Sequence, residues 1–205
     1  GETVWEKILF EDVEAFTNPL SSLSTNGSEI YVGTEEGEGS WGPHIYKLSS
    51  TGELLWSKEI ELEEDQRAGF FNVSYEANVI GMDIETSQDT STEVTEMVLF
   101  DTGSGEELWT KEITHNNTET TIGPSLVLRR DYAYVDQPVD GETDKWEGDI
   151  IDDSRDFRWF NARTGELVGQ FSQRITSSVA NVWSEDIYLG AGESIYALQK
   201  ETGDS

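Results

Sequence analysis

Residues 45–60 contain Ile45-Tyr46-Lys47-Leu48 and, after a turn, Thr51-Gly52-Glu53-Leu54-Leu55-Trp56-Ser57-Lys58-Glu59-Ile60. The order returns as Val98-Leu99-Phe100-Asp101 followed by Gly105-Glu106-Glu107-Leu108-Trp109-Thr110-Lys111-Glu112-Ile113. A third copy runs from Phe157-Arg158-Trp159-Phe160-Asn161 through Thr164-Gly165-Glu166-Leu167 to Phe171, with Gly169 where the others carry Trp. A fourth begins at Ile195-Tyr196-Ala197-Leu198 and reaches Thr202-Gly203. Gly1-Glu2-Thr3-Val4-Trp5-Glu6-Lys7-Ile8 reproduces the segment that follows the turn in the other copies. The 205 residues therefore hold four units, one split across the two ends.

Each unit reads as strands, because β-branched and aromatic residues alternate with polar ones over five to eight positions between turn signals. In the first unit the pattern predicts strands near residues 20–24, 29–33, 44–49 and 54–61, with Asn26-Gly27 as a hairpin turn. The Thr-Gly-Glu turn supplies a glycine where the chain needs positive φ. No sustained helical periodicity with caps competes. Repeats of about 40 to 60 residues, each with four short antiparallel strands, predict an all-β fold of the β-propeller kind. The expected organisation is a single domain over residues 1–205, with blades near 17–61, 69–114, 120–172 and 175–205, the last completed by 1–10.

The repeats resemble those of pyrroloquinoline-quinone-like propellers, whose blades carry Ala-x-Asp-x-x-Thr-Gly-x-x-x-Trp. Ala197-x-Gln199-x-x-Thr202-Gly203 matches its first part, with Trp5 supplying the Trp across the ends, while Asp101-x-x-Ser104-Gly105-x-x-x-Trp109 and Asn161-x-x-Thr164-Gly165 keep other parts. Thr51-Gly52-x-x-x-Trp56 keeps the turn and the Trp but is one residue short before them. The resemblance implies that Trp5, Trp56 and Trp109 lie on outer strands and dock on the adjacent blade, and that Gly169 weakens the packing of its own. Trp41, Trp146, Trp159 and Trp183 fall outside this register and are candidates for an exposed surface. Three closures are open: residues 2–9 pair beside 195–199 within one chain, two chains exchange ends, or the sequence is part of a longer propeller. Self-association through the terminal strands belongs to the second.

The chain carries 42 acidic and 13 basic residues, a formal charge of −29, and no cysteine. Nucleic acid is excluded as a default partner, since phosphate contacts need clustered Lys and Arg. Disulfides, thiolate zinc sites and a cysteine nucleophile are excluded as well. No run of 18 apolar residues suggests a transmembrane helix. Acidic residues spread through every stretch, with Lys scarce, resemble the surfaces of proteins from salt-loving archaea. The densest stretch, residues 136–156, offers Asp136, Asp140, Asp144, Asp149 and Asp152 as oxygen ligands for Ca²⁺, but it lacks EF-hand spacing and a solvated acidic loop is the favoured reading. The sequons at Asn26, Asn72 and Asn116 are glycan acceptors if the chain is exported.

Neither His44 nor His115 neighbours a nucleophile, no Gly-x-Ser-x-Gly occurs, and the carboxylates are too many to single out a pair. The expectation is a non-enzymatic extracellular or cell-surface scaffold or binding module without a cofactor, its protein or glycan partner unknown. A degenerate quinoprotein-like cofactor-binding enzyme and a filament subunit built by strand exchange are the alternatives. Like charges repel across tens of ångströms at low ionic strength, and a Debye length near 3 Å at about 1 M salt removes most of that repulsion. The melting midpoint is therefore expected to rise between low and molar KCl, and a flat series would overturn the assignment to high salt.

Overall fold

The computed structural model describes residues 4–6, 22–33, 43–86, 92–116, 125–138, 154–174, 179–181, 187–191 and 194–198. Among them the structure is all β, without a helix. The first sheet contains β1 (Ser22–Thr25), β2 (Glu29–Gly33), β3 (His44–Ser49) and β4 (Leu54–Glu59), hydrogen-bonded in that order. The second contains β5 (Gln66–Ser74), β6 (Val79–Thr86), β7 (Thr92–Asp101) and β8 (Glu107–Asn116). The third contains β9 (Ser125–Arg129), β10 (Tyr132–Pro138), β11 (Ser154–Asn161) and β12 (Leu167–Arg174). The fourth contains β13 (Val179–Asn181), β14 (Ile187–Ala191) and β15 (Ser194–Leu198). Every pairing is antiparallel between neighbours in the chain.

The first sheet bears out the strand reading closely, with the Asn26-Gly27 hairpin carrying Gly27 at φ +91°. Asn26 Oδ1 accepts the backbone N–H groups of Ser28 (3.0 Å) and Glu29 (2.9 Å), which holds the turn. The pairing of residues 2–9 beside 195–199 lies largely outside the described residues, and Val4–Glu6 belong to no strand.

Alternation places two cores between sheets. Tyr31 and Ile45 of the first sheet pack with Ile80, Met82, Val98 and Phe100 of the second. The opposite face of the second sheet, with Val79, Met97 and Leu99, packs with Leu126, Ala133, Val135 and Phe160 of the third. A strand covered on both faces cannot alternate with polar residues. Accordingly Val79-Ile80-Gly81-Met82-Asp83-Ile84 of β6 is buried throughout. The first strands lie side by side, β1 against β5 and β5 against β9.

One clasp repeats along this arc. The Trp56 indole N–H donates to the Thr102 carbonyl (3.2 Å), Trp109 to Ala162 (2.9 Å) and Trp5 to Ser50 (3.0 Å). Each acceptor is the first residue after the third strand of the next sheet. Beneath each ring lies a turn glycine at positive φ: Gly105 (+72°), Gly165 (+67°) and Gly52 (+82°). In the second and third sheets the glycine N–H returns to the residue four back, Asp101 or Asn161. Gly52 returns to Ser49, three back, so the residue absent from the first repeat shortens the turn and leaves the Ser50 carbonyl in place. A bulge follows the turn in all three sheets, where the register skips Leu55, Leu108 or Val168. Bulges of this kind bend and twist a strand, here just before the position of the indole.

Gly165 and Gly27 separate the clasp from simple turn strain. A Cβ on Gly165 would lie 2.9 Å from the Trp109 ring, whereas one on Gly27 meets nothing within 4 Å. Left-handed backbone costs an ordinary residue about 1–2 kcal/mol. Gly27→Ala is expected to cost that much and Gly165→Ala roughly 1–2 kcal/mol more, because the indole must shift. Urea midpoints compare the two, and equal losses would count against the clasp.

Candidate functional site

The gaps between sheets also hold several of the chain's 13 basic residues. Lys58, two residues after Trp56, places its ammonium 5.2 Å from the Phe100 ring centroid. Lys111, two residues after Trp109, lies 5.2 Å from Phe160 and 5.9 Å from Trp109. Phe100 and Phe160 hold the same position on the third strands of their sheets, so a cation–π contact repeats with each of these two clasps. The sequence signal for it is Trp-x-Lys at 5–7, 56–58 and 109–111, which uses half of the six lysines.

Two ion pairs reinforce the gaps. Lys47, buried, meets Glu29 at 2.7 Å and donates to the Thr102 carbonyl of the second sheet at 3.1 Å. Hydrogen bonds from Lys47 and then Tyr31 hold the Glu29 carboxyl below its ordinary range against the opposing effect of burial. Burial, together with its bond to Glu29, pushes the Tyr31 phenol well above its ordinary value. From the third sheet, Arg163 reaches back to Asp101 at 2.9 Å and donates to the Ala77 carbonyl at 3.1 Å. Burial raises the Asp101 pKa, but the Arg163 guanidinium and the N–H groups of Ser104 and Gly103 outweigh it, and the carboxyl titrates below its ordinary value.

The third repeat departs from the rule in a compensated way. Trp159 is the cross-strand partner of Gly169, where Leu99 faces Trp109 in the second sheet. A Cβ on Gly169 would collide with the Trp159 indole. The large ring has moved from the fourth strand to the third, so Gly169 makes room for Trp159 and does not open a packing defect. Trp159 is 1% exposed, which corrects its expected place on the surface. Its ring lies beside Phe157, itself stacked on Tyr134 at 5.9 Å. Burial pushes the Tyr134 phenol up to about 12. Trp41, Trp146 and Trp183 lie outside the described residues.

A cleft of about 250 Å³ opens between the second and third sheets, lined by Lys111, Glu112, Ile113, Val135, Arg158 and Phe160. Arg158 stands where the second sheet has Val98: each is the third-strand partner opposite Val135 or Met82. Asp83, buried, occupies the cross-strand row of Met97 and Lys111. The cleft has an apolar floor of Ile113 and Val135. Two basic residues and one acidic residue line it, Lys111 and Glu112 from the second sheet and Arg158 from the third.

The remaining sequence candidates are dispersed. Asp136 lies on β10 opposite Ser125 and Phe157, while Asp140, Asp144, Asp149 and Asp152 fall outside the described residues. Among the described residues no group of three or more His, Asp or Glu is placed to hold a metal. The Asn72 side-chain amide donates to the Leu126 carbonyl across the gap (3.1 Å), so a glycan there would disturb sheet packing. Asn26 is on an exposed turn held through its Oδ1, which leaves the nitrogen a glycan would take outside those bonds. Asn116 ends β8. His44 stacks on Tyr46 (5.6 Å), and His115 stands opposite Glu93 on the paired strand.

The sequence matches no family model and no curated protein. Among solved structures the chain is similar to the Dos1 propeller, at 13% identity and a TM-score of 0.50, over 91% of this chain and 46% of that one. It also aligns with the β-propeller domain of the Trilobed protease from Pyrococcus furiosus (14% identity, TM-score 0.33, 89% of this chain, 72% of that one). A Synechocystis apocarotenoid oxygenase aligns at 10% identity and a TM-score of 0.40, over 86% of this chain and 45% of that one. The chain spans about half the length of the Dos1 and oxygenase structures. The likeness to the Dos1 propeller concerns the fold alone, and with the repeated antiparallel sheets it shows a fold of the β-propeller kind.

Asp101→Asn isolates the ion pair from the turn. Asn161 caps the third sheet's turn through the same bonds that Asp101 makes in the second, so the variant keeps the cap and loses the charge facing Arg163. With the folded pKa depressed below the ordinary 3.8, the pair's contribution is complete above that pH and is lost as pH falls through the lower folded value. The variant is expected to melt lower near neutral pH, by the equivalent of roughly 0.5–1 kcal/mol for a partly exposed pair. The gap should close in strong acid, and a gap constant with pH would remove the pair from the account.

Proposed function

We propose that this chain is a non-enzymatic propeller module of the pyrroloquinoline-quinone-like kind, suited to high salt and acting outside the cell or at its surface. It presents loops and the gaps between blades to a protein or glycan partner. The observation that carries the reading is how the shared residues of the repeats are used. Turn glycine, indole, lysine and phenylalanine all serve the packing of one sheet on the next. Chemistry specific to this protein then belongs to the positions where the repeats differ, and these vary in charge more than in catalytic residue type.

The fold alone does not choose between scaffold and enzyme. Against a quinoprotein stand the absence of cysteine, which many such relatives use as a vicinal pair, and the engagement of the indoles able to stack on a planar ring. The net charge of −29 supports the high-salt setting, and the exposed Asn26 sequon supports export. Protein purified intact from its source is expected to show glycan mass, no quinone absorbance and no substrate-dependent dye reduction. Bound quinone or turnover would overturn the non-enzymatic reading, and an unmodified mass would overturn export.

A further inference from the structure

We propose that Asn26 is a self-modifying site: the hairpin between β1 and β2 promotes its conversion, through a cyclic imide formed with Gly27, to aspartate and isoaspartate. This goes beyond the module reading and holds whatever the chain binds. Of the eight asparagines in the chain, Asn26 is the one followed by glycine. The group that attacks an asparagine side chain is the backbone nitrogen of the next residue, and a side chain on that residue crowds the approach. Gly27 carries none, and residues 25–28 are exposed, so water and hydroxide reach the turn.

The hydrogen bonds of the turn act on the reacting carbonyl. Asn26 Oδ1 accepts from the Ser28 N–H (3.0 Å), the Ser28 hydroxyl (2.9 Å) and the Glu29 N–H (2.9 Å). Negative charge collects on that oxygen when the Gly27 nitrogen adds to Cγ, and donors already in place stabilise it more than they stabilise the neutral amide. The Gly27 N–H points to the exposed Thr25 hydroxyl (3.0 Å). Hydroxide removes its proton, the N–Cγ bond forms, the Cγ–Nδ2 bond breaks, and Nδ2 leaves as ammonia after taking a proton from water. Water then opens the imide, giving aspartate by attack at Cγ and isoaspartate by attack at the backbone carbonyl. The sum consumes one water, releases one ammonia and needs no oxidant.

Asn161 shows what such a cap does without the glycine. Its Oδ1 accepts the N–H groups of Arg163 and Thr164, both at 3.0 Å. The next residue, however, is the buried Ala162, whose N–H is held by the Asp131 carbonyl (2.8 Å) and whose own carbonyl receives the Trp109 indole. Ring closure there would break the first bond and disturb the clasp. Asp101 caps its turn through the N–H groups of Gly103 and Ser104, so aspartate at position 26 is able to keep the hairpin. Isoaspartate lengthens the main chain by one carbon and is not. Either product ends the Asn26-Gly27-Ser28 sequon, and a glycan on Nδ2 removes the ammonia leaving group, so the two modifications exclude each other.

The test is peptide mapping by mass spectrometry of the full chain, made without glycans and held at mildly alkaline pH in molar KCl with and without urea. Asn26 is expected to convert at least as fast in the folded chain as in the unfolded one, with Asn161 intact. Ser28→Ala removes one of the three donors and should slow the folded chain by roughly three- to ten-fold while leaving the rate in urea unchanged. Ser28→Thr keeps the hydroxyl and should restore the folded rate. Slower conversion folded than in urea, a Ser28→Ala effect that is absent or equal in both states, or conversion of Asn161 as fast as Asn26 would overturn the site. None of these outcomes touches the module reading, which stands or falls on quinone and turnover.

Discussion

An indole resting on a left-handed glycine, with its N–H on the carbonyl three or two residues earlier in that turn, is the contact on which the arrangement of sheets depends. It joins two requirements that neither sheet meets alone. The turn needs a residue that tolerates positive φ, and a side chain at that place would obstruct the ring. The tryptophan, large and amphipathic, buries its faces only if its N–H finds an acceptor, and the turn exposes a carbonyl that no strand partner takes. The bulge before the indole, the Asp, Asn or Ser that caps the turn, and the lysine two residues later all act around that contact. The third repeat shows how far the constraint extends, since Trp159 fills the volume above Gly169 from the neighbouring strand.

The clasp also bears on the charge of the protein. In a chain with 42 acidic residues, lysine persists where an aromatic ring of the next sheet receives it. A long-range attraction between surface charges fades at a Debye length of a few ångströms, but a contact between an ammonium and a ring face is largely shielded from that screening. High ionic strength would therefore relieve repulsion on the acidic surface while sparing the short contacts that hold sheet to sheet.

Where the repeats agree they build the frame, and where they differ they mark out individual gaps. Val98 against Arg158 and Gly33 against Asp83 are the sharpest contrasts between the two described gaps, and both lie on faces that meet a neighbouring sheet. Neither stands out along the chain, because one arginine and one aspartate among so many charges carry no periodic signal. Only the strand register, which puts Arg158 and Val98 at corresponding places, makes the difference visible.

The sequence by itself determined the repeat unit, its strands and its turns. Alternation and glycine placement are local properties, so β2 and β3 fall where the pattern places them and the Asn26-Gly27 hairpin forms. It also singled out Trp5, Trp56 and Trp109 by their constant distance from a glycine. It misplaced Trp159 and misjudged Gly169, since each is explained by the other across a strand pair that sequence distance does not reveal. Tertiary structure alone decided which carbonyl each indole meets, which ring each lysine covers, and that the Asn72 amide is committed to the neighbouring sheet. Those are contacts between residues about 50 positions apart, set by how one twisted sheet seats on the next, and no local pattern encodes them.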